Sequence, residues 1–146
     1  MKKTIIVLFL AFVTNICLAQ NKSHAFFMIG NYTYPEWEKL EFDFTDEGRE
    51  ITYSYRKNES GHKLMVLGTK YVRNQKVLMV RIPKYNKIYL IFRDRKNSRI
   101  LMTSEDNTYK KYFSLGYEGP VDGRGTYCDS CANEPDEAFY ILDSFF

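Results

Sequence analysis

The sequence predicts an all-β fold, an antiparallel up-and-down meander of about seven to nine strands forming a small barrel or sandwich. Three observations predict it. Apolar runs rich in Val, Ile, Leu, Met and Tyr are separated by polar turns recurring about every 10 to 13 residues, the spacing of antiparallel sandwiches and barrels. Leu40, Phe42 and Phe44 alternate with Lys39, Glu41, Asp43 and Thr45, a period of two that buries one face and wets the other. Twelve Tyr and 11 Phe among 146 residues favour pleated, half-buried surfaces. A sustained helical period is missing, apart from the start of the chain and the short stretch Asp136 to Leu142.

Residues 1–19 read as an export signal. Lys2 and Lys3 form the charged region, Thr4 to Val13 the apolar region, and Cys17-Leu18-Ala19 a small-x-small cleavage site. The apolar region is shorter than the roughly 18 to 20 residues a membrane-spanning helix needs, and nothing after it comes near that length. A lipoprotein anchored through Cys17 is the alternative, but Ile16 stands where that signal has a small residue. Residues 20–146 then form one domain on size grounds. Cleavage leaves 19 Lys and Arg against 18 Asp and Glu, so net charge predicts little about partners.

The elements follow in order. Residues Gln20 to Ala25 are polar and read as loose. Phe26 to Tyr34 starts apolar and is ended by Pro35, since proline cannot donate to a strand ladder. Leu40 to Thr45 is a half-buried strand, Asp46-Glu47-Gly48 a turn, and Glu50 to Arg56 the return strand with Ile51, Tyr53 and Tyr55 on one face. Lys63 to Val72 reads as one strand with apolar groups on both faces. Val77 to Ile82, stopped by Pro83, then Ile88 to Phe92, Arg99 to Thr103 and Thr108 to Leu115 complete the series. Residues 116–137 form a loop rich in glycine, acid and cysteine, and the apolar end of the chain is expected to return to the core or to close the sheet as a final strand.

Gly30-Asn31-Tyr32, the hairpin Leu40 to Gly48 and the succession of up-and-down strands resemble the lipocalin-like (calycin) small β-barrels over Phe26 to about Leu115. Those begin with a Gly-x-Trp strand, and Tyr32 stands here in place of the tryptophan. The resemblance implies a barrel with an internal cavity for a small apolar ligand.

Cys128-Asp129-Ser130-Cys131 is the sharpest local feature. A thioredoxin-type redox pair sits at a helix N-terminus within βαβ units, which this chain lacks. A zinc site needs four ligands, and the further candidates of good type, His24 and His62, lie far apart in sequence. In an exported loop the pair Cys128 and Cys131 is expected to form a disulfide. Asp122, Asp129, Asp136 and Glu137 crowd the same region, but without the alternating acids of a calcium loop, and read as solvated.

Charge is segregated along the chain. Ten bases fall between Lys70 and Arg99 against the single acid Asp94, while Glu36 to Glu50 and Glu118 to Asp143 each carry seven acids. Arg81, Lys84, Lys87, Arg93 and Arg95 are candidates for a basic face that meets an acidic partner; the competing reading is that acidic flanks pack beside these strands and cancel them. Nucleic acid is not expected for an exported protein near neutrality. Neither histidine comes with a nucleophile and an orienting acid at a recognisable spacing, so no catalytic residue, metal or cofactor is expected. The sequence therefore points to binding rather than catalysis. Phe42, Phe44, Tyr53, Tyr55 and Tyr89 are the candidates for lining an internal site. The alternative is an interaction module, such as a periplasmic inhibitor or immunity-type protein, that works through its outer surface.

Overall fold

The computed structural model describes residues 22–30, 36–45, 47–55, 61–116, 128 and 130–146. The segment read as an export signal and most of the glycine-rich loop lie outside these. The described strands are β1 (His24–Ile29), β2 (Glu38–Thr45), β3 (Gly48–Tyr55), β4 (His62–Lys63), β5 (Met65–Val72), β6 (Gln75–Ile82), β7 (Lys87–Asp94), β8 (Arg99–Ser104) and β9 (Lys110–Leu115). One helix, α1 (Pro135–Asp143), follows them. The sheet order is β4-β3-β2-β1-β9-β8-β7-β6-β5, and every neighbouring pair is antiparallel. First and last strands pair, Phe27 opposite Leu115, so the meander curls into a nearly closed barrel compatible with a calycin-like fold. Closure on the other side depends on one kinked strand. β4 pairs with β3 and β5 pairs with β6, with Leu64 between them sending its N–H to the Ile51 carbonyl at 2.8 Å.

Local chemistry explains the connections. Arg73 and Asn74 both take the left-handed conformation, the two-residue hairpin turn whose twist matches the strands it joins. Gly48 opens β3 at φ +144°, in line with the turn expected at Asp46-Glu47-Gly48. The inward phase of the strands carries Ala25, Phe27, Leu40, Phe42, Ile51, Leu78, Val80, Ile91, Ile100, Met102 and Phe113, all in one buried cluster.

Three expectations are corrected. The loose start is strand from His24, because His24 pairs opposite Asp43 on β2. The Lys63 to Val72 run is broken at Leu64, which is buried in the core, and beyond it Met65, Val66, Leu67 and Tyr71 are exposed. The terminal strand is a helix. Pro135 opens it, and Glu134 and Glu137 form a reciprocal capping box that satisfies its first backbone N–H groups. Its apolar face, Ala138, Phe139, Ile141 and Leu142, joins the barrel core.

Helix α1 stops one end of the barrel. Phe139 meets the Phe27 ring at 5.8 Å and Phe145 meets Phe42 edge-on at 5.5 Å. The helix end is tied to the wall by Asp143, which accepts from Arg93 at 2.7 Å and from Arg95, and by the Ser144 carbonyl, which accepts from Arg49. A second, smaller cluster lies outside β1, where Phe26, Met28 and Trp37 pack with Cys131. Cys128 and Cys131 stand at disulfide distance. The peptide between them is stitched to the barrel by Ser130, whose carbonyl accepts from the Ser23 and His24 amides at 2.9 and 3.1 Å.

Candidate functional site

The end opposite α1 is a mouth ringed by tyrosines. Tyr53 and Tyr55 are two residues apart on β3, so their rings share the inward face and stack at 6.0 Å. His62 stacks on Tyr55 at 5.9 Å and meets Tyr85 edge-on at 6.2 Å, while Tyr89 and Tyr109 make a perpendicular pair at 5.5 Å. These side chains surround a cavity of about 390 Å³ lined by Tyr53, Tyr55, Tyr85, Tyr89 and Tyr109, with Lys87 at its rim and Ile82 and Met102 as its apolar part. That volume falls within the roughly 300 to 1,000 Å³ of small-molecule sites.

A carboxylate organises the polar side of the mouth. Oε2 of Glu38 accepts from the Tyr53 hydroxyl at 2.8 Å and from the Tyr109 hydroxyl at 2.9 Å, and Oε1 accepts from Lys111 Nζ. Burial, followed by the effects of Glu38 and neighbouring tyrosines, raises both phenols far above their ordinary pKa of 10.0. Burial first, then Tyr85 and Asp106, also raises Tyr89. The three hydroxyls therefore remain protonated donors across the physiological range. A second depression of about 390 Å³, lined by Ile29, Glu36, Trp37, Glu38, Tyr55 and Lys111, shares Tyr55 with the first. In the turn before β9, hydrogen bonds from Ser104 and Thr108 hold the Asp106 carboxyl below the usual carboxylate range, and Lys87 stands 3.6 Å from it.

The structure sorts the residues expected from sequence. Tyr53, Tyr55 and Tyr89 line the mouth. Phe42 is inward but lies under α1, against Phe27 and Phe145. Phe44 is at the far rim, 43% exposed, with the Arg49 guanidinium over its ring. Glu38, Tyr85, Tyr109 and Lys111 were not anticipated. Glu38 had a readable signal, since it stands in the same phase as Leu40 and Phe42, whereas Tyr85 sits in a short 3-10 turn, Pro83–Tyr85, that no period betrays.

The five candidate bases do not form one face. Arg93 and Arg95 grip Asp143, with the Phe146 and Phe139 rings against their guanidinium groups. Lys84 lies over the Tyr85 ring, Lys87 pairs with Asp106, and Arg81 is on the wall opposite Met65. Arg93 and Arg95 are thus neutralised by Asp143 of the acidic end, while Lys70 and Lys87 are met by Glu105 and Asp106 of the turn between β8 and β9.

Among the described residues, His24, Glu41 and Asp43 are the group whose donor atoms approach one another closely enough to hold a metal, within 4.8 Å on the outer face of β1 and β2. They have partners of their own, His24 bonding to Asp43 and Glu41 pairing with Lys39 at 2.7 Å. Among the described residues no helix is long and apolar enough to cross a membrane. No protein-family model, curated protein or solved structure matches the chain.

Proposed function

We propose that this is an exported binding protein that holds a small, ring-bearing ligand in the tyrosine-lined mouth of its barrel. The observation that carries the reading is the cavity itself: five tyrosines, Lys87 and an apolar side of Ile82 and Met102, open to solvent above a filled core. Aromatic walls grip a flat ring by stacking, and hydroxyls fix its edge. The purely apolar, deeply enclosed ligand that the calycin resemblance implies fits less well. Phe27, Phe42 and Phe139 occupy the interior where such a ligand would lie, leaving the shallow end as the place to bind. Export agrees with the cysteine pair and with the amino-terminal signal pattern.

Native mass spectrometry of protein purified from its own host tests this. A bound small molecule that is released on denaturation, and lost in Tyr55→Ala and Tyr89→Ala variants of unchanged circular dichroism, is the expected result. Protein that carries no ligand from its host, or that retains one equally in both variants, would overturn the reading.

A further inference from the structure

Among the described residues, strand β5 is an open edge of the sheet. In a fully closed meander the strand that contains β4 and β5 would pair with β3 and β6 along its whole length. Here the pairing with β3 ends where the Leu64 N–H reaches Ile51, and β5 is the last strand of the sheet order, with β6 alone beside it among the described residues. The wall therefore has a gap between β3 and β5. Along that gap stand Met65 at 51%, Val66 at 42%, Leu67 at 36% and Tyr71 at 73% exposure, half of the large apolar side chains exposed among the described residues.

Edge strands are normally blunted by brevity, proline or inward charge. Strand β5 runs for eight residues without proline, and its one charge, Lys70, is drawn to Glu105 at 2.5 Å. A bulge between Val66 and Gly68 is its remaining guard. Apart from Glu105 on Lys70 and Glu50 on Lys63, the charges nearest it along the chain are basic. Residues 61–93 contain no Asp or Glu and eight Lys or Arg, and Arg73, Lys76 and Arg81 beside β5 take part in none of the ion pairs among the described residues.

We propose that β5 is a docking strand for an extended segment of another protein, apolar and acidic in alternation, which adds to the sheet at this edge. The ladder supplies affinity through main-chain hydrogen bonds, and the alternating side chains meet the apolar row and the bases. A lipid surface matches the apolar and basic character but offers no hydrogen-bonding ladder to the N–H and C=O groups that point away from β6. A second copy of the chain pairing β5 to β5 would bring Lys70, Arg73 and Lys76 against like charges.

The probe is a soluble peptide of about ten residues alternating Val and Glu, long enough to span the strand. It is compared with a Val and Lys peptide and with a Val and Glu peptide methylated on alternate backbone nitrogens. Binding is followed by fluorescence anisotropy and by hydrogen exchange of the β5 amides. The expected result is binding by the first peptide alone, with β5 exchange slowed at least about tenfold, a change that a bound ladder produces by closing the open state. Val66→Lys with Leu67→Lys, at exposed positions, removes the binding without altering the fold. No binding at millimolar peptide overturns the proposal, as does equal binding by either control. So does protection of β5 by self-association in sedimentation or by vesicles of anionic phospholipid without peptide. The ligand at the tyrosine mouth is read separately, by mass, so either proposal can fail alone.

Discussion

Tyr109 and Glu38, 71 positions apart, meet through a hydrogen bond of 2.9 Å that ties the start of β9 to the start of β2 across the mouth of the barrel. Tyr53 donates to the same carboxylate oxygen at 2.8 Å. Both phenols have raised pKa values in the folded state, so the unfolded chain releases these protons first as pH rises. The stability they contribute is fully present below pH 10.0, the ordinary tyrosine value, and is lost progressively above it. In an ultraviolet titration, Tyr53 and Tyr109 are expected to stay protonated after the exposed tyrosines have ionised, and to ionise together with unfolding. Loss of all tyrosine protons in one step near the ordinary value, with the fold intact, would refute this.

The helix that stops the opposite end is expected to dominate stability. Phe139 is 1% exposed and packs on Phe27, so Phe139→Ala should cost about 3 to 5 kcal/mol in urea unfolding, as large core truncations do. Tyr140 on the next position is 67% exposed, and Tyr140→Ser should leave the midpoint within about 0.5 kcal/mol. Equal effects of the two would mean that α1 does not pack as described.

Asp143 receives Arg93 and Arg95, yet it is 38% exposed and screened by solvent. Asp143→Asn should therefore cost only about 0.5 to 1 kcal/mol, and most of that difference should vanish in 1 M salt. A loss that persists undiminished in high salt would show that packing, not charge, is what the substitution disturbs.

Cys128 and Cys131 close a very short loop, so their bond stabilises modestly, by about 2 kcal/mol on the chain-entropy account. The double substitution to serine should lower stability by that amount, and intact mass of the mature native protein after alkylation should show no free thiol. Two alkylated thiols in protein from its own compartment would contradict the pairing.

Gly116 leaves β9 beneath the Phe26 ring. A Cβ there would lie 2.5 Å from Phe26 Cε2 and 3.1 Å from Met28 Cγ, and Phe26 is only 1% exposed, with little room to turn away. Gly116→Ala should cost about 1 to 3 kcal/mol by overpacking. A neutral result in thermal unfolding would mean that the outer cluster rearranges freely.

Much of this fold is legible in the chain because strand periodicity is local. The alternation at Leu40, Phe42 and Phe44, and again at Ile51, Tyr53 and Tyr55, states which side chains share a face before any partner strand is known. The antiparallel meander and the tyrosines of β3 follow from it. What the period leaves open is where along an inward row the core ends and a site begins. Phe42 and Tyr53 are both inward; the first is sealed by Phe145 and the second faces the mouth. That difference arises from α1, which arrives from the far end of the chain and fills one end only.

The same distinction separates the basic residues. Their clustering in sequence is plain, but Arg93 and Arg95 meet Asp143 while Lys87 meets Asp106, because successive turns of a meander emerge at opposite ends of the barrel. The sequence by itself determined the all-β class, the inward phase of its strands and the cysteine pair, since each depends on neighbours along the chain. Only the tertiary structure decided which end opens, that Glu38 gathers Tyr53 and Tyr109, and that β5 ends the sheet order. Those depend on residues brought together from distant parts of the chain, and on a kink at Leu64 that no local pattern specifies.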